Sequence, residues 1–404
     1  MHAKTDHSYL SIRKNPNFLD WATQPQSFKR YPHFYRRYKT ELIPDLGFIG
    51  GITLKKTHGD THHYLRTVPS AGALYTSEVY IQLRGQAGLV DGIYHYEPLH
   101  DNLVLIHELG EDGVEAYFRE ETKYGMVFLI ASAYFRSSWK YGSRAIRYVM
   151  LDAGHQIGAI AAFLNHRQTP WTLHFDMDLD RLNFDFGFEG SEFFLAAVTV
   201  EPKVTRHPAK PLRQRLPFVC PSDYTERNTH IENEYARCLL EARHSSTFET
   251  LGRFEKEVIV QRRSARQFTQ RQDEKILFDR MDALRMLANT HGIDLYMVVK
   301  NITDVTPGLY RNGTLMSEGD FSRRCAYLAL EQSIVAPANI TLFFAAGETD
   351  YFQNYILTGL LGHFVYLEAE KLGLGCSGIG AYYDEETKEF LQTDKNILYV
   401  MIVG

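Results

Sequence analysis

Two long apolar segments, one in each half of the chain, constrain the fold more than any other feature of the sequence. Residues 148–164 and 355–372 are apolar on nearly every face, a pattern that is typical of a helix buried on all sides. Gly154-His155 lies inside the first segment and Gly362-His363 inside the second. The shared pair predicts a diverged internal duplication, although two apolar helices can also resemble each other by chance.

A shorter motif supports the duplication. Residues 92–95 (GIYH) have a counterpart in residues 308–311 (GLYR). Duplicated halves usually pack as a pseudo-dimer. We therefore predict an α+β protein of two tandem halves packed as an intrachain pseudo-dimer, each a small mixed or antiparallel sheet flanked by helices.

Length and proline content divide the chain. With 404 residues it is long enough for two domains, each with its own core. Residues 201–223 carry five prolines among basic residues, a composition that resists regular structure. We therefore predict an N-terminal arm plus the first half over residues 1–223 and the second half over residues 224–404.

Hydrophobic patterns predict the main elements in both halves. The predicted strands are residues 79–83, 92–96, 126–131, 194–200, 295–299, 340–345 and 397–403. The predicted helices are residues 148–164, 231–241, 276–291 and 355–372.

Charge and cysteine content limit the class of partner. A net charge of −5 gives no global reason to bind nucleic acid or anionic lipid, so a small partner is favoured.

The four cysteines lie too far apart for a CxxC metal or redox motif, and we expect a cytoplasmic protein without an export signal or a membrane span. His58, Asp60, His62 and His63 are close in sequence, but a polar loop is the commoner meaning, and we predict no metal.

A turn of small residues precedes the first predicted strand. In the sequence VPSAGALYT of residues 68–76, Pro69 fixes one φ angle, and Ser70, Ala71 and Gly72 have little side-chain bulk. Their backbone N–H groups are accessible to a flat or charged ligand. An ordinary surface turn is the alternative.

An arginine-rich segment and a glycine-rich segment lie in the second half. Residues 262–268 (RRSARQF) combine three arginines with a serine, donors that suit a phosphate monoester, although a solvated charge run is the alternative. Residues 373–378 match GxGxxG but follow a helix, which excludes a Rossmann site. We interpret residues 375–380 as a helix exit whose bare backbone could lie against a planar ring.

A lysine and a tyrosine stand next to each other before the first buried helix. Residues 139–144 (WKYGSR) contain Lys140 and Tyr141, and such a pair can accept a proton if burial and cationic neighbours lower a pKa. An ordinary amphipathic helix start is the alternative.

In order and spacing these motifs resemble the SagB-type dehydrogenases, a branch of the FMN-dependent nitroreductase superfamily. The resemblance rests on residues 69–75 with Glu78, 91–96, 139–144 and 151–155, while residues 262–268 and 373–380 resemble the opening and closing signatures of ordinary nitroreductases. It implies two nitroreductase-like halves with FMN between them.

The resemblance also implies roles for single residues. The phosphate and ribityl chain would be held by Arg262, Ser264 and Arg266, with Arg263 beside them. The isoalloxazine would meet Gly378, Ile379 and Gly380, and the site would be closed by Pro69, Ser70, Ala71 and Gly72. A proton would be transferred by Lys140 and Tyr141.

The implied function is oxidation of a C–H bond in an azoline-like or related peptide-derived substrate, with hydride transfer to flavin N5. An NAD(P)H-dependent nitro or quinone reductase and a non-catalytic flavin-binding or scaffold protein are the alternatives. The first half has only residues 28–31 (FKRY) in place of the arginine segment, and the second half has no Pro-Ser turn, which predicts one FMN site per chain and a vestigial twin. A further homodimer stays open.

Overall fold

The computed structural model describes residues 2–14, 19–59, 61–119, 122–203, 207–240, 252–269 and 271–404. The chain divides into two compact units. The first unit is Asp20–Val260, and the second unit combines Met1–Leu19 with Gln261–Gly404. Among the described residues, no helix combines the length and the apolar character that a membrane span needs.

Both units contain strands and helices. The strands are β1 (Arg37–Lys39), β2 (Ile52–His58), β3 (Thr61–Arg66), β4 (Ser77–Leu83), β5 (Gly92–Glu97), β6 (Asn102–Glu108), β7 (Lys123–Ser132), β8 (Trp171–His174), β9 (Phe193–Lys203), β10 (Asp294–Val299), β11 (Gly308–Arg311), β12 (Thr314–Glu318), β13 (Ile340–Ala346), β14 (Cys376–Ile379) and β15 (Asn396–Val403). The helices are α1 (Tyr9–Lys14), α2 (Phe135–Tyr141), α3 (Ala145–His166), α4 (Leu179–Asp185), α5 (Thr229–Leu239), α6 (Lys256–Gln261), α7 (Lys275–Thr290), α8 (Ser322–Leu328), α9 (Tyr351–Lys371) and α10 (Asp384–Leu391).

The first unit is built on a seven-stranded antiparallel sheet with the strand order β1-β6-β5-β4-β7-β9-β8. A separate hairpin of β2 and β3 accompanies it. Helix α3 is buried from Ala145 to Asn165, which agrees with its apolar sequence, because a helix without a polar face has no side to present to water.

The second unit is built on a six-stranded antiparallel sheet with the strand order β12-β11-β10-β13-β15-β14. Its buried helix is α9. The N-terminal residues of the chain belong to this unit, since the His7 amide donates to Asp384 Oδ2 at 2.8 Å and the Tyr9 ring lies 6.2 Å from that of Tyr383. The α+β class and the two sheet-containing halves are thus confirmed.

The two sheets have the same internal order. Strands β6-β5-β4-β7-β9-β8 of the first unit match β12-β11-β10-β13-β15-β14 of the second, position by position. In each unit the buried helix follows the fourth matched strand and precedes the strand at the sheet edge. An internal duplication accounts for this agreement.

Irregularities in the two sheets agree as well. The register of β5 against β6 shifts at Tyr94, and that of β11 against β12 shifts at Tyr310. The register of β7 against β9 shifts at Ala131, and that of β13 against β15 shifts at Ala345. Bulges are specific features that families keep, so two shared bulges support common descent of the halves.

The repeated GIY and GLY motifs lie at one of these bulges. Tyr94 donates its hydroxyl to the Val90 carbonyl at 2.5 Å, and Tyr310 donates to the Thr306 carbonyl at 2.6 Å. A Cβ on Gly92 would lie 2.8 Å from the His107 carbonyl oxygen, and the second unit shows the same crowding. Each motif therefore supplies a tyrosine anchor and a close backbone approach.

Every predicted main strand and helix is present, but one predicted segment differs. Residues 375–380 are not simply a helix exit, because Cys376–Ile379 pair with β15 as the edge strand β14. The histidine-rich stretch belongs to the β2-β3 hairpin rather than to a loop, and Asp60 in it lies outside the described residues.

The division of the chain differs from the predicted boundary at residues 223 and 224. Helix α5 belongs to the first unit, because the Tyr235 ring stacks on Phe193 at 4.0 Å and its hydroxyl donates to the Phe194 carbonyl at 2.9 Å. The proline-rich connection packs there too, since the Leu216 amide donates to the Asp185 carbonyl at 2.7 Å. The proline content correctly indicated a segment without regular structure. It did not indicate where the core of the first unit ends.

We predict that Tyr94→Phe and Tyr310→Phe each lower the free energy of unfolding by about 1 kcal/mol, because each removes one partly buried hydrogen bond from a buried tyrosine to a loop carbonyl. Urea unfolding of the two variants measures this. Tyr38→Phe is the matched control, since its hydroxyl bonds Arg36 at the surface, and we expect a change below about 0.5 kcal/mol. A variant with no loss would contradict the shared anchor.

Candidate functional site

A buried carboxylate holds the Pro-Ser turn in place. Asp152 on α3 accepts hydrogen bonds from Ser70 Oγ at 2.5 Å, from the Ala71 amide at 3.1 Å and from Thr76 Oγ1 at 3.1 Å. Ser70 Oγ accepts in turn from the Tyr75 amide at 2.9 Å. The turn is therefore fixed at both of its ends by one side chain from the buried helix.

The backbone of the turn is strained. Gly72, Ala73 and Tyr75 have φ angles of +64°, +55° and +50°. A side chain in this region costs about 1–2 kcal/mol, so surrounding contacts must impose the shape. Arg136 supplies one of them, because its buried guanidinium donates to the Tyr75 carbonyl at 2.7 Å and pairs with Glu78 at 2.6 Å.

Lys140 and Tyr141 reach this turn from the end of α2. A Cβ on Gly72 would lie 2.7 Å from the Tyr141 hydroxyl oxygen and 3.3 Å from Lys140 Nζ. Only glycine leaves room for this approach, and its positive φ also favours glycine. The structure thus brings together the predicted turn, Pro69 to Gly72, and the predicted proton-transfer pair.

The protonation of Tyr141 and Asp152 follows from burial. Burial raises the pKa of Tyr141 above its usual value, and the nearby Tyr148 and Asp152 add to the shift. This direction is opposite to the lowered pKa that the sequence invoked, so Tyr141 is a neutral phenol near neutral pH. Burial also raises the pKa of Asp152 to about 6, although Ser70 and the Ala71 amide oppose the shift.

The predicted phosphate-binding residues form a second cluster, within the second unit. Arg262 is buried, and its guanidinium carbon lies 5.1 Å from the centroid of the Tyr366 ring. Ser264 Oγ lies 3.0 Å from the Tyr366 hydroxyl, which accepts a bond from the Gly378 amide at 2.8 Å. Tyr366 on α9 therefore joins the arginine segment to the glycine-rich strand β14.

The arginine segment runs beside the start of β14. The Ala265 amide donates to the Cys376 carbonyl at 2.8 Å, and a Cβ on Gly375 would lie 3.1 Å from Ala265 Cβ. Arg263 donates to the Arg262 carbonyl at 2.7 Å. The two segments that sequence reasoning assigned to one ligand are thus neighbours.

Four predicted residues in this cluster differ in exposure. Arg266 is exposed and Gly380 is half-buried. The Ile379 side chain lies in the hydrophobic core, so only its backbone could meet a ligand. Gly378 is required for packing, because a Cβ there would lie 1.8 Å from the Tyr399 hydroxyl.

Comparisons with known proteins separate the two clusters. Residues 259–404 match the model of the Nitroreductase family. The matched residues contain the arginine segment and β14, whereas the Pro-Ser turn, Lys140 and Tyr141 lie outside them.

Two curated relatives resemble parts of the chain. A protein of Methanocaldococcus jannaschii described as a nitroreductase is 36% identical over 96 residues, which are 22% of this chain and 48% of the relative. Indigoidine synthase of Dickeya dadantii is 48% identical over 42 residues, which are 10% of this chain and 3% of the relative. The chain therefore spans less than half the length of either.

One solved structure resembles the whole chain. A crystal structure of a protein from Anabaena variabilis, described as a nitroreductase, covers 100% of this chain and 98% of its own, with a TM-score of 0.79 and 20% sequence identity. At this identity the match shows the fold alone. The match covers the first unit as well as residues 259–404, so the first unit shares the nitroreductase-like fold.

Sequence reasoning missed three residues of these clusters. Asp152 stood in the LDAGH motif without a role, while Arg136 and Tyr366 were not singled out. Each contacts residues far away in the sequence. Only Asp152 gave a signal, because it is the one carboxylate in a mostly apolar helix.

We predict that Asp152 makes stability fall as the pH rises. The folded state holds the proton of Asp152 up to about pH 6, whereas the unfolded chain releases it near 3.8, so ionisation costs stability between these values. Relative to Asp152→Asn, the wild type should lose about 2 kcal/mol from pH 4 to pH 7. Unfolding at a series of pH values measures it.

The exposed Asp223 provides the control for this experiment, since Asp223→Asn should follow the wild-type pH curve. Parallel pH curves for wild type and Asp152→Asn would contradict the raised pKa.

Proposed function

We propose that this chain is an FMN-dependent oxidoreductase of the SagB type, which oxidises an azoline-like ring in a peptide-derived substrate. The observation that carries the proposal is the approach of Lys140 and Tyr141 to Gly72 in the Pro-Ser turn. This geometry unites the two motifs on which the resemblance to the SagB type depends. The match to the Nitroreductase family model supports an oxidoreductase more generally.

The second-unit cluster fits FMN chemically. Arg262 provides a permanent, buried positive charge, and arginine forms the paired hydrogen bonds that phosphate oxygens accept. Ser264 provides a hydroxyl for a ribityl oxygen. A Cβ on Gly375 would lie 3.1 Å from Ala265 Cβ, so the glycine-rich segment packs closely beside these donors. We assign Arg262, Ser264 and Arg266 to the phosphate and ribityl chain and β14 to the ring.

The reaction removes two electrons and two protons from the substrate. When bound, FMN supplies the hydride acceptor at N5, and molecular oxygen serves as the final oxidant, forming hydrogen peroxide. The substrate C–H bond and a neighbouring N–H or C–H bond break, and a C=N or C=C bond forms. The chain must remove the accompanying proton.

Lys140 and Tyr141 divide this proton transfer. Because the pKa of Tyr141 is raised, its neutral hydroxyl can donate a hydrogen bond or relay a proton, but it is not a ready base. Because an ammonium group cannot accept a proton, we assign acceptance of the proton to Lys140 in its neutral amine form, and we assign orientation of the substrate to Tyr141. Asp152 holds the turn against which both act.

We also propose a single FMN site per chain. In the first unit Lys29 is buried in an ion pair with Glu192 and donates to the Tyr80 hydroxyl at 2.9 Å. Burial alone would lower the pKa of Lys29, but Glu192 raises it overall, so the charge is retained and neutralised internally. Lys29 is thus used in a buried ion pair of the core and is not available to bind a phosphate.

An NAD(P)H-dependent nitro or quinone reductase is the second candidate, and the match to the Nitroreductase family model favours it. This reaction needs hydride transfer from nicotinamide to the flavin. It needs no residue that accepts a proton from a peptide substrate. Rapid bleaching of the flavin by NADPH without any peptide would support it over the azoline oxidase. A non-catalytic flavin-binding protein is the remaining alternative.

We predict that the purified protein binds close to one FMN per chain and that Arg262→Ala weakens FMN binding about tenfold or more, because a charge-assisted contact worth about 1.5–3 kcal/mol is lost. Arg262→Lys keeps the charge but not the paired geometry and should be intermediate. Equilibrium flavin titration measures both.

The exposed Arg323 in the same unit is the control for this titration, and Arg323→Ala should bind FMN like the wild type. Two tightly held flavins per chain would contradict the single site, and a colourless protein that takes up no FMN would end the proposal.

We predict that Lys140→Met lowers kcat for a thiazoline peptide by about 10²-fold or more while FMN content is kept, because a general base is lost. Tyr141→Phe should lower kcat less, since the aromatic ring and Lys140 remain. Oxygen consumption with a synthetic thiazoline peptide measures turnover. Lys56→Met, on the exposed face of β2, is the control. Unchanged turnover in both site variants would favour the non-catalytic alternative.

A further inference from the structure

A tryptophan of the N-terminal arm lies at the surface beside the predicted proton acceptor. Trp21 is 61% exposed and begins a short 3₁₀ turn, Trp21–Thr23. Its ring packs edge-on against Trp139, with 5.6 Å between centroids. Single exposed aromatic residues are common and need no function. The short turn that carries Trp21, however, is held in place by hydrogen bonds.

Three hydrogen bonds hold the turn that carries Trp21. The Asp20 side chain accepts from the Ala22 amide at 3.0 Å. Trp139 Nε1 donates to Thr23 Oγ1 at 2.9 Å, and the Tyr224 hydroxyl donates to the Thr23 carbonyl at 2.7 Å. Anchors from α2 and from Tyr224, which follows the proline-rich connection, thus fix the backbone that carries the indole, and this reduces the entropy that a ligand would otherwise have to remove.

Lys140 connects this indole to the Pro-Ser turn. Its Nζ lies 5.7 Å from the centroid of the Trp21 ring and 5.4 Å from that of Tyr141. The same atom would lie 3.3 Å from a Cβ on Gly72. Trp21, Lys140 and Gly72 therefore form one continuous surface of the first unit, with an exposed indole at its outer end.

We propose that Trp21 is a substrate-binding residue, whose exposed indole stacks on the planar azoline ring of the peptide-derived substrate beside Lys140. This inference rests on the proposed function and adds the residue that recognises the ring. An indole is the largest flat apolar surface a protein can offer, and stacked ring pairs contribute beyond their buried area. Stacking on the indole covers one face of the ring and leaves open the other face, toward which a C–H bond of a tetrahedral ring carbon points.

The test compares Trp21→Ala and Trp21→Phe with the wild-type FMN-loaded protein. Two probes are used: a short synthetic peptide with one thiazoline for turnover, and its fluorescently labelled thiazole counterpart for equilibrium binding. Trp21→Ala should raise KM, and the Kd of the thiazole peptide, about three- to tenfold, with kcat within about twofold of wild type. Trp21→Phe should recover most of both.

Phe34→Ala is the matched control, since Phe34 is an aromatic residue of the same arm with 83% exposure. It should leave KM, Kd and kcat unchanged. Flavin content and the thermal unfolding midpoint, measured for every variant, identify any that misfolds. In that case Trp21→Phe, which preserves a ring in the turn, provides the comparison through its smaller rise in KM and Kd.

The outcomes separate the two proposals. Normal oxidation by the wild type with unchanged KM and Kd in Trp21→Ala overturns the role of Trp21 and leaves the proposed function intact. A fall in kcat at constant KM also overturns it, because Trp21 would then position Lys140 instead of binding the ring. A wild type that neither binds nor oxidises the azoline peptide overturns both proposals.

Discussion

The hydrogen bonds between Asp152 and the Pro-Ser turn are the constraint on which the candidate site depends. A carboxylate on an almost wholly apolar, buried helix is costly unless hydrogen bonds satisfy it, and Ser70, Ala71 and Thr76 supply them. The same bonds hold a backbone that is strained by consecutive positive φ angles. The hydrogen bonds therefore offset both the cost of burying the carboxylate and the strain in the turn, and the result is a fixed surface for Lys140 and Tyr141.

The duplicated sheets show how one scaffold can carry two different sites. Both units keep the same strand order and the same two bulges, features determined by backbone pairing. The two units differ in the side chains of their candidate sites. The first unit has the Pro-Ser turn and a buried Lys29–Glu192 pair, whereas the second has Arg262 and Ser264 around Tyr366. Among the described residues, neither unit repeats these candidate site residues of the other.

The residues that match the Nitroreductase family model and the proposed proton-transfer pair lie in different parts of the sequence. The family model matches only residues 259–404, and the fold of the first unit is related through the structure from Anabaena variabilis at 20% identity. The general redox assignment therefore depends on the second unit, and the proposed specificity for an azoline substrate depends on the first. Experiments on flavin binding and on turnover examine these two assignments separately.

The sequence by itself determined the α+β class, the duplication and the long elements, because periodicity and apolar runs are local properties. It also identified the residue groups of both clusters. Only the tertiary structure decided that Cys376–Ile379 form an edge strand and that α5 belongs to the first unit, since pairing with β15 and stacking on Phe193 join distant residues. The partners of Asp152, Arg136 and Tyr366 were likewise hidden, because a hydrogen bond across the fold leaves no pattern in the neighbouring residues.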